Sequence, residues 1–191
     1  MGILFEDDFL DGFGTWPLAY IPYGGPDFGE LAAVGAKVGN GDADAFTNAK
    51  IEGGTAPPPR RKRRQRADTS KAPRELYLRA CAFYATSYHP IYGAPVDPRL
   101  LAAFDNHTRA HDAGLALNDP PIRRQTIPFE GAAMPAHFVP AAGFAGTKQP
   151  TIIFTNGYDA TVTDVLFASA VAASRRGYHT HALRLPPITN A

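Results

Sequence analysis

One cysteine and four serines are the residues of this 191-residue chain that could act as nucleophiles. A hydrolase serine sits on a sharp strand-to-helix turn with the pattern Gly-x-Ser-x-Gly, because that turn exposes the hydroxyl. Cys81 lies in an apolar stretch and is expected to be a buried core thiol, as most free cysteines are. No serine has a glycine two residues away on both sides; the serines are Ser70, Ser87, Ser169 and Ser174.

Two pairs of histidines have a spacing that could hold a metal ion. His107 and His111 stand four residues apart in a predicted helix, and His179 and His181 stand two apart in a predicted strand, so each pair shares a face. The zinc peptidase pattern needs a glutamate directly after the first histidine, where this chain has Thr108. We therefore expect structural histidines, with no metal site and no cofactor.

Helical patterns dominate the first 120 residues. A short helix is predicted over 27–36, a second from Pro73 to the proline at position 90, and a third over 98–116. Asp97 precedes the third helix as its cap, with a proline in the first turn. The sequence therefore predicts a helical N-terminal region over 1–120.

A basic segment interrupts this helical region. The stretch Arg60–Arg66 follows three prolines and holds six of the nineteen basic residues. Such a run repels itself, so a disordered basic linker is predicted over 47–72. The run could contact nucleic-acid phosphates, but no aromatic residue interleaves it and no DNA- or RNA-binding motif adjoins it. We do not expect a nucleic-acid partner.

The pattern changes to strands after residue 120. Alternating residues around Gly131 predict a β-hairpin, and the β-branched stretch Thr151–Thr155 predicts a buried parallel strand. A helix over 162–176 ends at Gly177, and a second parallel strand is predicted over 178–185. The expected fold class is α/β: a helical cap, then over 121–191 an incomplete sheet made of the hairpin and one βαβ unit. The hairpin strands are predicted over 124–130 and 136–140.

Several of these segments carry a family resemblance. The chain from about residue 74 to 178 resembles α/β-hydrolases related to dipeptidyl aminopeptidases and acylaminoacyl peptidases, and the C–C bond hydrolase that acts on 2,6-dihydropseudooxynicotine. The resemblance covers a little over half of the chain. The matching segments are Arg74–Ala80, Tyr88–Gly93, Ile127–Gly131, Met134–Phe138, Ile152–Thr161 and Arg176–Tyr178.

The resemblance implies a helical cap that shapes a substrate pocket and a hydrolase that uses a Ser-His-Asp triad. It also implies that the loop after the third strand donates a backbone N–H to the oxyanion. In this chain the implied donor is Tyr158, with Gly157 next. Because the nucleophile, acid and histidine of a triad are not found here, we expect the chain alone to be inactive. It would be a truncated hydrolase.

Two local departures from the family pattern, at 47–72 and after Tyr178, suggest reading-frame slips. Two other function classes stay open, a non-enzymatic helical binding module and a nucleic-acid binder acting through the basic run. Acidic residues at 6–8 predict the absence of a signal peptide, and no run approaches the roughly 18 apolar residues of a membrane span. We expect a cytoplasmic protein that binds a small-molecule or peptide-like substrate, with a homo-oligomer as a further option.

Overall fold

A computed structural model describes residues 2–55, 72–144, 146–157 and 159–183. The chain divides into two compact units, Met1–Leu117 and Asn118–Ala191, whereas the sequence placed the boundary after residue 120. No helix of the described residues is long and apolar enough to cross a membrane.

The first unit is helical. Its α-helices, with 3₁₀ turns at Trp16–Tyr23 and His89–Ile91, are α1 Asp8–Thr15, α2 Phe28–Val38, α3 Ala43–Thr55, α4 Ala72–Ser87 and α5 Pro98–Ala116.

Side-chain caps fix where these helices begin. Asp27 accepts from the Glu30 amide while the Glu30 carboxylate accepts from the Asp27 amide, both at 3.0 Å, which is a complete capping box. Asp97 accepts from the backbone N–H of Arg99 at 2.8 Å and caps α5. The predicted helices over 98–116 and from residue 73 onward are thereby confirmed.

Helix α3 corrects the predicted linker. The linker was expected to begin at Thr47, but 47–55 is helical, and Thr47 is buried with its hydroxyl donating to the Ser87 carbonyl at 2.9 Å. The packing uses small residues, since a Cβ on Gly53 would lie 3.1 Å from the Phe83 ring and one on Gly54 2.9 Å from the Tyr84 ring. The buried face of α3 mixes Phe46 and Ala49 with Thr47, Lys50 and Gly54, so it lacks the continuous apolar stripe that predicts a helix. The basic run Arg60–Arg66 lies outside the described residues.

A buried ion pair joins α2 to α4. The Arg79 guanidinium donates to the Glu30 carboxylate, and both side chains are almost inaccessible to solvent. Arg79 also lies over the Phe83 ring, 5.2 Å from its centroid. Glu30 therefore serves the start of α2 and the α2–α4 contact together.

The second unit contains a four-stranded sheet with strand order β1-β2-β4-β3. β1 and β2 form the predicted antiparallel hairpin, β2 pairs antiparallel with β4, and β3 pairs parallel with β4. The hairpin and the βαβ unit are confirmed, although the second hairpin strand begins at residue 132, before the predicted 136. The strands are β1 Arg124–Phe129, β2 Ala132–Val139, β3 Thr151–Thr155 and β4 His179–Leu183.

The prediction that β3 is buried is wrong. Ile153 is 67% exposed, and Ile152 and Phe154 are only half-buried. Within the described residues β3 pairs with β4 alone and lies at one end of the strand order, so one edge of β3 has no neighbouring strand. Its β-branched composition correctly indicated a strand but not its position in the sheet.

A helical run connects β3 to β4. It consists of α6 Val162–Val165, a π-helical turn Leu166–Ala170 and α7 Val171–Ser174. It ends in a Schellman motif, in which Gly177 adopts φ +85° and the Tyr178 N–H donates to the Ala173 carbonyl at 3.1 Å. The predicted glycine terminator at 177 is confirmed.

His179 anchors the loop between β2 and β3 to β4. Its Nδ1 accepts from the Ala141 N–H at 2.9 Å, and its Nε2 lies 2.8 Å from the Thr147 carbonyl. Only the neutral tautomer with the proton on Nε2 satisfies both contacts. Both ring nitrogens are therefore engaged by the main chain, which removes the metal-ligand alternative for His179.

We predict that Glu30→Gln lowers the free energy of unfolding by about 3 kcal/mol, because Arg79 loses a buried counter-charge. Urea denaturation at pH 7 measures the change. The matched control is Glu52→Gln, which removes the exposed pair with Lys37 and should cost under about 1 kcal/mol. Equal losses in the two variants would contradict a special role for the buried pair.

We predict that His179→Phe costs about 2–4 kcal/mol, because the Ala141 N–H and the Thr147 carbonyl lose their partner. The control is His181→Phe, since the His181 ring packs on Phe138 and forms no hydrogen bond among the described residues. Faster amide exchange at Ala141 in the His179 variant alone is the specific signature. Unchanged exchange there would refute the anchoring role.

Candidate functional site

The loop between β3 and α6 is the segment to which the sequence analysis assigned a catalytic role. It spans 156–161, directly after the end of β3. The Asn156 side-chain amide donates to the Ala160 carbonyl at 2.8 Å, which closes the loop across its base. The loop conformation is thus fixed at the strand end by a local side-chain hydrogen bond.

A capping box fixes the other end of the loop. The Thr161 hydroxyl donates to the Asp164 carboxylate at 2.7 Å and accepts from the Thr163 N–H at 3.2 Å. The Thr161 backbone N–H also donates to Asp164. Each end of the 156–161 loop therefore has a side-chain hydrogen bond to a residue close in sequence.

Asp164 has an unusual electrostatic environment. Its side chain is buried, and burial raises its pKa to about 6, against the lowering effect of hydrogen bonds from the backbone of Thr161 and of Asp164 itself. The sequence analysis did not single out this residue. The signal that could have found it is the pattern Thr-x-x-Asp just before an apolar run.

Gly157 has the geometry of an available hydrogen-bond donor. It is exposed, and no described heavy atom lies within 4 Å of where its Cβ would stand. Its N–H donates to no other described residue. Its φ is outside the left-handed region, so the backbone here does not require glycine. Tyr158, the first-choice oxyanion donor, lies outside the described residues.

The serines of the described segments are structural. Ser87 is buried and donates to the Tyr84 carbonyl at 2.8 Å, and Ser174 donates to the Pro140 carbonyl at 2.7 Å. Ser169 lies in the π-helical turn, so the prediction of a helical environment for Ser169 and Ser174 is confirmed. Ser70 lies outside the described residues. No described serine occupies a strand-to-helix elbow.

Cys81 and one of the two helical histidines, His107, have local partners in the structure. Cys81 is fully buried and its thiol donates to the Leu78 carbonyl, which confirms it as a core residue. His107 and His111 are buried on α5, with ring centroids 6.3 Å apart. The His107 Nδ1 lies 3.4 Å from the Tyr88 hydroxyl, so one of its two ring nitrogens already has a partner.

A groove of about 550 Å³ lies in the helical unit, remote in sequence from the 156–161 loop. Glu6, Asp7 and Asp42 give it an acidic rim, and Phe9 adds an exposed aromatic ring. Asp7 caps α1 through the Leu10 N–H, and Asp42 accepts from an amide of α3. Capping therefore explains two of the three acidic groups without a ligand.

Comparison with known proteins identifies relatives of the chain. No family model matches. The chain is 34% identical over 174 residues to the hydrolase acrC of Aspergillus aculeatus, covering 84% of this chain and 41% of that protein. It is 24% identical over 181 residues to the α/β-hydrolase psoB of Aspergillus fumigatus, covering 92% of this chain and 41% of that protein. The chain thus spans about two fifths of the length of these relatives.

A solved structure shares the fold. The crystal structure of a 2,6-dihydroxy-pseudo-oxynicotine hydrolase matches with a TM-score of 0.58 at 13% sequence identity, covering 88% of this chain and 45% of that chain. At that identity the likeness concerns the fold alone, and it agrees with a helical region followed by a small mixed sheet. These relatives and this shared architecture support an α/β-hydrolase-like family for the chain.

Proposed function

We propose that this chain supplies the helical cap and the oxyanion loop of a hydrolase that cleaves an ester, amide or activated C–C bond. The observation that carries the proposal is the 156–161 loop, where the exposed Gly157 N–H is available after a parallel strand. A carbonyl under attack gains negative charge on its oxygen, and a preorganised N–H stabilises that charge. Gly157, together with Tyr158, would provide this donor.

The nucleophile and its base would come from residues outside these 191. The sequence contains no Gly-x-Ser-x-Gly, and the described serines are in helices. Relatives of this chain extend well beyond the part that it covers. Hydrolysis by the chain alone is therefore not expected.

The substrate would be a small molecule with a reactive carbonyl. The name hydrolase acrC supports hydrolysis, and the name 2,6-dihydroxy-pseudo-oxynicotine hydrolase supports a small-molecule substrate. The narrower resemblance to dipeptidyl aminopeptidases and acylaminoacyl peptidases would extend the substrates to peptide-like amides. Action in the cytoplasm and a homo-oligomeric assembly belong to the same proposal.

The proposal is tested with a chimaera in which this chain is followed by the part of acrC that lies beyond the matched region. With activated aryl esters, we expect heat-labile turnover from the chimaera and none from the 191-residue chain. Heat-labile turnover by the chain alone would contradict the assignment of the nucleophile to other residues. A folded chimaera without turnover on a panel of esters, amides and β-diketones would contradict the hydrolase proposal.

The role of Gly157 is tested by two substitutions in the same chimaera. Gly157→Pro removes the N–H and should lower kcat roughly 100- to 1,000-fold, the loss typical of a missing oxyanion donor. Gly157→Ala keeps the N–H and has room for its Cβ, so kcat should fall far less. Equal activity of the two variants would show that the Gly157 N–H is not a donor.

The raised pKa of Asp164, which caps the helix after the loop, predicts a pH-dependent stability. Its folded pKa of about 6 exceeds the ordinary value of 3.8, so between these values the folded chain binds more protons than the unfolded one. The free energy of unfolding should therefore fall as pH rises from about 4 to 6, by up to about 3 kcal/mol from this group. Asp164→Asn should abolish that component, seen as the difference between the urea-denaturation curves of the wild type and the variant. The control Thr161→Val keeps the carboxyl and should keep the pH dependence; an identical profile in wild type and Asp164→Asn would refute it.

A further inference from the structure

Lys50 carries a buried amine that has no acidic partner among the described residues. It lies in α3 with no solvent exposure, and its Nζ donates to the Gly14 carbonyl at 3.1 Å. No carboxylate of the described residues lies within ion-pairing distance of Nζ. Its surroundings are instead aromatic, with Nζ 5.4 Å from the Phe46 centroid, 5.8 Å from Phe83 and 5.9 Å from Phe5.

The contacts of Lys50 come from three parts of the helical unit. Phe83 belongs to α4 and Phe46 to α3, whereas Phe5 and Gly14 belong to the N-terminal segment, which we define as residues 2–15. Lys50 is thus the point at which α3, α4 and the N-terminal segment meet. The Lys50 side chain contacts this segment at two places: its Nζ lies over the Phe5 ring and donates to the Gly14 carbonyl.

The N-terminal segment behaves as one piece. The Asp11 carboxylate accepts from the backbone N–H groups of Ile3, Leu4 and Phe5 at 2.9, 2.8 and 3.0 Å, which folds the start of the segment back onto α1. Gly14 lies against the Phe5 ring so closely that a Cβ would stand 2.0 Å from it. Loss of the contact at Lys50 therefore loosens both ends of the segment together.

Two effects act in opposite directions on the charge of Lys50. Burial alone lowers the pKa of its amine to about 7. Three aromatic faces and a carbonyl oxygen favour the ammonium form, because ring quadrupoles attract cations. The neutral amine has two N–H groups and uses one of them in the hydrogen bond to Gly14. The ammonium has three N–H groups for the same single oxygen acceptor, so two of them lack an oxygen acceptor among the described residues.

Neighbouring charges do not neutralise this site. Glu30 is paired with Arg79, Glu52 with Lys37, and Asp44 with Arg99, so the acids of α2 and α3 are engaged elsewhere. In the N-terminal segment, Asp11 and Asp7 accept from backbone amides. The other charged groups on these elements are Glu6, Asp8, Arg74 and Glu75.

The Phe83 ring that Lys50 approaches also carries a second basic group. The Arg79 guanidinium lies over Phe83, the ring that Lys50 also approaches, with its carbon 5.2 Å from the centroid. An ammonium at Lys50 therefore shares one aromatic ring with a permanent cation.

We propose that Lys50 is a proton-operated latch: when its amine takes up a proton, the N-terminal segment loosens from α3 and α4. In the loosened form water reaches the ammonium and replaces the aromatic contacts. In the closed form the amine is neutral and the segment is held. The device would make the order of the first 15 residues depend on pH in a range where few other groups change charge.

The sign of the effect follows from proton linkage. The loosened form binds a proton that the closed form lacks at any pH between about 7 and the ordinary lysine value of 10.5. Opening is therefore favoured as pH falls through this window and becomes independent of pH below it. One proton gives at most a tenfold change in the opening equilibrium per pH unit.

Hydrogen exchange of the full 191-residue chain tests the latch. We expect the protection of the Leu4, Phe5 and Leu10 amides, corrected for intrinsic exchange, to rise between pH 7 and 8.5 by roughly 10- to 30-fold. Lys50→Met keeps the stem but cannot be charged, so its protection should not change over this range. Lys37→Met, which removes an exposed lysine of α2, should retain the wild-type dependence.

A direct titration keeps the proposal testable even if Lys50→Met fails to fold. The Lys50 side chain is followed by Cε and Nζ chemical shifts in the wild-type chain. A midpoint near 7 together with pH-dependent protection is the expected result. A midpoint near 10, or equal pH dependence in wild type and Lys50→Met, would overturn the latch.

Discussion

The Phe83 ring is the contact on which the helical unit depends. It is fully buried, and three helices meet at it: α4 carries it, α3 approaches through Gly53, and the α2 residue Val34 is buried in the same core cluster. The Lys50 amine and the Arg79 guanidinium both lie over this ring. A smaller side chain at position 83 would leave a cavity beside α3 and also remove the aromatic face that both basic side chains contact.

The helical unit buries two basic side chains, Arg79 and Lys50, which differ in how they are compensated. Arg79 is compensated by Glu30, whose other carboxylate oxygen completes the capping box of α2, so one carboxylate supports a helix start and a helix contact. Lys50 has only rings and a single carbonyl. Since an uncompensated buried charge costs several kcal/mol, these two sites differ in how their stability responds to pH.

In the sheet unit, β4 is the strand that connects the other elements. β4 pairs antiparallel with β2 on one side and parallel with β3 on the other, and so connects the hairpin to the βαβ unit. Its first residue, His179, also holds the loop that precedes β3. The start of β3, and with it the course of the chain toward the 156–161 loop, is therefore fixed from β4.

The sequence predicted the elements whose signals are local and failed where packing decides. Asp97 before a proline, Gly177 after an apolar helix and Gly131 in an alternating segment each carry a specific backbone requirement, and the structure confirms all three positions. Helix α3 has a local start signal in Asp42, which the sequence analysis did not use. Its buried face mixes apolar residues with Thr47, Lys50 and Gly54, and the fit of that face depends on the rings of α4. The exposure of Ile153 and the burial of Lys50 likewise depend on which elements pack beside them. Composition alone does not predict that packing.

The candidate site combines a loop with local hydrogen bonds and a nucleophile that long-range contacts would have to position. The two ends of the 156–161 loop carry hydrogen bonds among Asn156, Ala160, Thr161 and Asp164, all within nine residues, so this part of the site rests on local sequence. A nucleophile, by contrast, must be brought to the donor by other strands, and no described serine is placed on such a strand end. A preorganised N–H donor stabilises charge only where a reaction develops it. A preorganised donor loop therefore contributes to catalysis only together with a nucleophile that other elements position.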